Sequence, residues 1–304
     1  ARICNQKCLF CSNPVNGRVI SWKEAKALVD SFAEEKAAGV IITGGEPTLF
    51  ERLPELVAYA IKKGLPPRLI TNGQKICRAD YLKALVDAGL DHMHISVHSA
   101  KPEVQGELTG NKNSLPNILR ALENAGKFGV RVDINTVINS RNAGHLSYTP
   151  QFLVERFPFL YHFVWNNLDP QMNAASLNPE LVPKLRAFEV ELHNAMTWLT
   201  KASKSFRVER VPLCYMSDFM HFSTETRKFV KDEGRYIYFL DEKGRKQQDK
   251  SSWSYEKSAK CKACAVKKIC AGLYQMGKYY SEGELCPILT PPDTVIAKVR
   301  AEAS

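Results

Sequence analysis

The stretch VIITGGEPTL, residues 40–49, decides how this chain folds. Val40 to Thr43 is a short, continuous apolar run of the kind that forms a strand buried on both faces. Gly44 and Gly45 end the run and allow close backbone approach. Glu46 then stands at the C-terminal edge of that strand, where parallel α/β sheets build their sites. A carboxylate there can hold a ligand's ammonium group, or it can cap the helix that follows. Upstream, Ser21 and Glu24 form a capping box, which predicts a helix running to about Ala38 and stopping at Gly39. Downstream, helical patterns at 53–63, 81–88 and 114–128 alternate with strand patterns at 68–71, 93–97 and 130–137. A further strand is expected over 161–165 and a long helix over 181–199. Such alternation means βαβ units and a parallel sheet. A first strand belongs immediately before Cys4. The chain is therefore expected to begin inside or just after it, with the natural protein starting further upstream.

The 304 residues are 44% hydrophobic, enough for one large or two modest domains with a substantial core. No run reaches the roughly 18 apolar residues that cross a bilayer. The start, ARICNQKC, has no apolar signal-peptide segment, and the expected location is the cytoplasm. Lys and Arg outnumber Asp and Glu by 42 to 32, a net charge of +10. That excess favours anionic partners without choosing among RNA, phosphorylated metabolites and acidic peptides. No RNA-binding motif or aromatic-spaced platform supports a nucleic-acid partner.

The nine cysteines are poorly explained by a disulfide framework in a chain with no export signal. Seven fall in two groups at the two ends of the chain, which points to metal. Cys4, Cys8 and Cys11 form CNQKCLFC, spaced C-x3-C-x2-C. Structural zinc prefers four closed ligands. Three thiolates in one short loop suit a [4Fe–4S] cluster with one iron open to an external molecule, and a zinc knuckle with a distant fourth ligand is the alternative. Cys261, Cys264 and Cys270 form CKACAVKKIC, and Cys286 follows before Pro287. These four thiolates suit a second [4Fe–4S] cluster or a Cys4 zinc site equally well.

CNQKCLFC and ITGGEPTL, in this order, resemble the cluster loop and the GGEP motif of radical S-adenosylmethionine enzymes, over roughly residues 1–170. The resemblance implies an α/β fold, a partial (β/α)6 TIM-like barrel spanning residues 1–204. It implies that Cys4, Cys8 and Cys11 ligate the cluster, and that Gly44, Gly45 and Glu46 contact the methionine part of S-adenosylmethionine bound at the open iron. It sets Phe10 near the adenine. It also makes strand-end residues candidates for holding ribose and carboxylate: Asn72, Ser96, His98 (on one face with Ser96 by the two-residue alternation) and Asn135. Each of these has a bland alternative as a satisfied polar group at a sheet end. Asn166 and Asn167 are candidates for the substrate side.

The C-terminal pattern resembles a SPASM or twitch extension, a small cysteine-rich auxiliary-cluster domain over residues 205–304. The full SPASM pattern has seven cysteines and two clusters. Here Tyr274 stands where another cysteine would fall, and only Cys214 is available upstream, so one auxiliary cluster is expected. Its ligands are Cys261, Cys264, Cys270 and Cys286, with Cys214 able to replace one or to be a buried thiol. Cys77 is expected in the outer helix layer. Lys257, Lys260, Lys262, Lys267 and Lys268 flank these thiolates, either as a solvated face or to draw in an acidic segment.

By resemblance the chain reductively cleaves S-adenosylmethionine to a 5′-deoxyadenosyl radical, with an electron donor such as flavodoxin or ferredoxin. The leading substrate is a peptide or protein side chain undergoing oxidation, crosslinking or epimerisation. A small molecule is second, RNA third, and a noncatalytic metal scaffold is the reading from a different class. No general acid, base or nucleophile is singled out.

Overall fold

The structure is a computed structural model that describes residues 2–14, 16–171, 173–239, 245–248, 255–273 and 277–302. Six parallel strands, β1 (Val40–Ile42), β2 (Pro67–Thr71), β3 (His92–Ser96), β4 (Arg131–Ile138), β5 (His162–Asn167) and β6 (Ser205–Glu209), lie side by side in chain order. That order, with crossover helices between strands, is the curved α/β arrangement expected from the alternation of patterns. The helices are α1 (Trp22–Glu34), α2 (Leu53–Lys62), α3 (Ala79–Asp87), α4 (Pro102–Thr109), α5 (Ser114–Lys127), α6 (Tyr148–Arg156), α7 (Asn173–Leu177), α8 (Leu185–Lys201), α9 (Thr224–Lys231) and α10 (Asp293–Ala301). None of the described helices is long and apolar enough to cross a membrane.

Ile3 accepts a hydrogen bond from the Glu46 N–H (2.8 Å), and two sequence expectations are corrected. The sixth strand is β6, paired in parallel with β5 and lying beyond the expected domain boundary at 204/205. Helix α1 stops at Glu34 because Lys36 takes a left-handed conformation (φ 55°), four residues short of Ala38. Gly39 serves a different purpose. A Cβ there would come within 2.7 Å of the Pro66 carbonyl oxygen, so the glycine lets β1 lie against β2. The capping box itself forms, with Ser21 Oγ accepting from the Glu24 N–H (3.2 Å) and Glu24 Oε2 accepting from the Ser21 N–H (2.8 Å).

Beyond β6 the chain folds back on the barrel. Cys264, Val266, Ile269, Tyr280 and Leu285 belong to the same continuous core as the strands. Arg207 on β6 pairs with Glu302 (2.6 Å), and Thr226 on α9 donates its hydroxyl to the Ile269 carbonyl (2.8 Å). A short antiparallel hairpin is formed by β7 (Arg235–Tyr238) and β8 (Arg245–Gln248). Tyr274, which stands where another cysteine would fall, lies outside the described residues.

At the β6–α9 junction Glu225 is buried and accepts from the Arg210 N–H (2.9 Å). Burial, and then the neighbouring Glu209 charge, push its carboxyl up to about 7 from 4.5. A folded-state value raised in this way stabilises the protein below the unfolded value, and the contribution is lost as pH rises through about 7. The melting temperature is therefore expected to fall by several degrees between about pH 5 and about pH 8. Glu225→Gln keeps an oxygen for Arg210 and should flatten that fall in a fluorimetric melt. An equal slope in both proteins would reject the assignment.

Candidate functional site

The cysteine loop is held from both sides by segments distant in sequence. The end of α4 forms one rail: Lys7 and Leu9 donate backbone N–H bonds to Thr109 (3.0 Å) and Leu108 (3.0 Å). Gly110, left-handed at φ 62°, ends α4 against Lys7, whose backbone oxygen a Cβ would approach to 3.3 Å. Helix α7 forms the other rail. Ala174 donates to Cys11 O (3.1 Å), Asn178 Nδ2 to Leu9 O (3.0 Å), and Asn173 Nδ2 to Ser12 O. Neither α4 nor α7 was read from the sequence, because both are short and carry weak helical periodicity.

A buried polar relay ties the loop to the strand ends. Gln6 Nε2 and Gln105 Nε2 both donate to Ser114 Oγ (3.0 Å each), while Gln105 Oε1 accepts from the His98 and Ser99 N–H groups (2.8 and 3.0 Å). Gln6, Gln105 and Ser114 are all buried. Sequence reasoning missed them because glutamine and serine carry no spacing signature.

Within the loop, Cys4 is exposed and Cys8 and Cys11 are half-buried. Burial raises the Cys4 thiol, and the Glu46 and Cys11 charges add to that, while the Gln6 N–H (3.4 Å) and Asn72 Nδ2 (3.6 Å) donate to Cys4 Sγ and oppose it. Cys8 is pushed up to about 12 by burial, then by Cys11 and Cys4. Three thiolates that repel one another in a part-buried loop suit a shared cationic centre, which deprotonates them as it binds. The donor set therefore fits an iron–sulfur cluster held by Cys4, Cys8 and Cys11.

Beside it, Gly44 has φ 138°, backbone that favours glycine. Gly45 leads from it into Glu46, which is 1% exposed and fully engaged. Its Oε1 accepts from the Thr48 N–H (3.1 Å), Thr48 Oγ1 (2.6 Å) and Thr71 Oγ1 (2.6 Å), and its Oε2 accepts from the Asn72 N–H (2.8 Å). Burial raises its carboxyl, and these donors oppose the shift. Glu46 thus clamps the ends of β1 and β2, and it caps the short turn at Pro47–Leu49, as the bland reading held. Asn72 passes the constraint on, donating through Nδ2 to Asn5 Oδ1 (2.7 Å) as well as to Cys4.

The remaining candidates divide. Ser96 and Asn135 are register partners on β3 and β4. Ser96 is half-buried with no hydrogen-bond partner for its hydroxyl among the described residues, and Asn135 Oδ1 accepts from Asn166 Nδ2 (2.6 Å). Phe10 and His98 lie against each other. Both are buried (8% and 5% exposed) and pack edge to face, ring centroids 4.5 Å apart. His98 Nδ1 accepts from the Val137 N–H (3.2 Å), and burial pushes the imidazole down to about 3. Asn167 is also inward, donating to Tyr280 OH (3.0 Å) and joining the C-terminal region to β5.

In the second thiol group, Cys214 enters at the end of β6. Burial pushes it up to about 12. The Cys270, Cys261 and Cys286 charges add to that, while the Cys286 N–H opposes it. Cys264 is buried and accepts from the Ile288 N–H (3.4 Å). Gly272 (φ 94°) lets residues 255–256 close over the segment after Cys270, since a Cβ would collide with Glu256 O. Cys214 thus lies within electrostatic range of Cys261, Cys270 and Cys286. Cys77 stays apart, half-buried, its thiol on Gln74 O (3.1 Å). Cys264→Ala is expected to lower iron by about one four-iron cluster and to spare the first. Full iron in that variant, with loss in Cys214→Ala, would exchange the two ligands.

Residues 1–149 match the Radical SAM superfamily. Among curated relatives, the chain is 31% identical over 186 residues to the Fe-coproporphyrin III synthase of Methanosarcina barkeri, covering 59% of this chain and 46% of that protein. It is 31% identical over 147 residues to the PqqA peptide cyclase of Bradyrhizobium diazoefficiens, covering 47% of this chain and 38% of that protein. The chain thus matches less than half the length of these relatives. Its fold is similar to that of Streptococcus suis SuiB bound to S-adenosylmethionine, with a TM-score of 0.61 at 16% identity, covering 89% of this chain and 70% of SuiB.

Proposed function

We propose that the chain, whose residues 1–149 match the Radical SAM superfamily, abstracts hydrogen from a peptide or protein side chain and so oxidises, crosslinks or epimerises it. The observation that carries the reading is the cysteine loop seated against Glu46 and Asn72 at the C-terminal edge of the sheet. When bound there, a cluster with S-adenosylmethionine supplies one-electron cleavage of the sulfonium and a radical able to take hydrogen from an unactivated carbon. Cys4, Cys8 and Cys11 would be its protein ligands. Glu46 holds Asn72 in place, and Asn72 donates to Cys4, so the clamp sets the position of one ligand. The free Ser96 hydroxyl and the Asn135–Asn166 pair offer hydrogen bonds at the strand ends to the methionine carboxylate, the ribose or the substrate.

We assign one auxiliary [4Fe–4S] cluster to Cys261, Cys264, Cys270 and Cys286, as an electron acceptor for the product radical, with a flavodoxin- or ferredoxin-type protein as donor. The peptide substrate is supported by the similarity to a PqqA peptide cyclase and by the exposed Lys257, Lys260, Lys262, Lys267 and Lys268 around these thiols, which suit an acidic peptide. A small-molecule substrate is the second reading, favoured by the longer match to an Fe-coproporphyrin III synthase.

Cluster-loaded, reduced protein is expected to release 5′-deoxyadenosine from S-adenosylmethionine, faster with acidic peptides than with tetrapyrroles or nucleotides. Deuterium placed on the peptide should appear in the released nucleoside. Acceleration by small molecules alone would overturn the peptide assignment. No release from fully loaded protein would overturn the radical chemistry.

A further inference from the structure

The opposite end of the sheet carries a second group of chemistry-bearing side chains that the cysteine site does not use. His92 and His94 lie two residues apart on β3 and so on one face. Asp133 on β4 is the register partner of His94, and His162 on β5 is the register partner of Asp133. His92 Nε2 is 2.7 Å from Asp133 Oδ2 and His94 Nε2 is 3.7 Å from it, with the two imidazoles stacked at 5.1 Å. One donor atom from each of the three residues lies within 4.8 Å of the others. His92 begins its strand and Ser96 ends it, so four residues, about 13 Å of strand, separate this group from the cysteine-loop edge.

Hydrogen bonding accounts for the His92–Asp133 contact alone. His94 makes no hydrogen bond among the described residues, since 3.7 Å is too long for one. Asp133, with a side chain 3% exposed, leaves Oδ1 without a hydrogen bond, and only the exposed Arg131 guanidinium stands at ion-pair range (3.6 Å). An unbonded oxygen on a buried carboxylate is costly, and it lies beside a half-buried imidazole that is itself unbonded. A pocket of about 240 Å³ lined by Pro66, Pro67, Arg68, Asp91, His92 and Arg131 gives solvent a way in. Arg68 and Arg131 oppose a cation, but both are solvated at the mouth, Arg207 near His162 is paired with Glu302, and Asp91 adds a carboxylate at the mouth.

We propose that His92 Nε2, His94 Nε2 and the Asp133 carboxylate bind one divalent first-row transition cation, with water completing the shell. Two imidazoles and one carboxylate suit zinc or ferrous iron and are poor for magnesium or calcium. The ion ties β3 to β4 at the barrel floor, and ferrous iron held there adds to the iron count without adding sulfide.

Zinc is the probe. Full-length, cluster-loaded protein is treated with a chelator, given one equivalent of Zn²⁺ and desalted. It is expected to keep about one zinc per chain with iron and sulfide unchanged, while His94→Leu and Asp133→Asn fall below about 0.1. The variants are compared only where melting and cluster content match the parent. Zinc X-ray absorption on the parent needs no variant, and should show nitrogen and oxygen neighbours without sulfur. No retained zinc in the parent, equal retention in folded variants, or sulfur around the zinc would each overturn the proposal.

Discussion

Cys8→Ala is expected to abolish release of 5′-deoxyadenosine and to remove about four irons per chain, leaving the C-terminal thiols loaded. Cys8 sits between Cys4 and Cys11 in the loop, and burial raises its thiol to about 12, so ligation has to displace its proton. Two thiolates cannot hold three corners of a cubane. The loop itself should survive, because its rails include backbone bonds to Thr109, Leu108 and Ala174, none of which involves the Cys8 side chain. Iron and sulfide analysis separates loss of the cluster from loss of fold, and Cys8→Ser tests whether an oxygen ligand rescues any iron. Residual cleavage in Cys8→Ala would contradict the ligand assignment.

Glu46→Gln should have the next largest effect, on stability and on cleavage together. The carboxylate presents two acceptors to donors that cannot turn away, the N–H groups of Thr48 and Asn72. An amide has one oxygen, so its NH₂ must face one of those N–H groups, leaving a buried donor unsatisfied at a cost of about 1–3 kcal/mol. The expected melting temperature is lower by several degrees. The cost also falls where Asn72 is held against Cys4, so cleavage should drop by about 10²-fold. Glu46→Asp, which keeps both oxygens on a shorter arm, should recover more stability than Glu46→Gln. Unchanged melting in Glu46→Gln would show that the clamp contributes nothing.

Much of the fold was legible because its signals are local. The apolar run at 40–43 before two glycines, the capping box at Ser21 and Glu24, and the alternation through 165 each depend on a few neighbouring residues, and the strands they predict are present within one or two residues. The cysteine spacing likewise puts three thiols in one loop whatever the rest of the chain does. The sequence alone therefore determined the parallel α/β class and the position of the cysteine loop and of Glu46 in the chain.

Tertiary structure decided what depends on separations of tens to hundreds of residues. Ser205–Glu209 reads as the start of another region, and only its pairing with β5 makes it the sixth strand. Helix α4 and Gly110 gain their meaning from contact with Lys7, about a hundred positions away. Phe10 and His98 meet ring to ring from opposite sides of β1, β2 and β3 in the sequence, a contact that no local pattern shows. His92 and His94 lacked ligand-like partners in the linear sequence, since Asp133 is some forty residues downstream and only strand register brings it beside them. Spacing reports chemistry when the donors share a loop. Where donors come from different strands, the information lies in the pairing of the sheet, and no local pattern carries it.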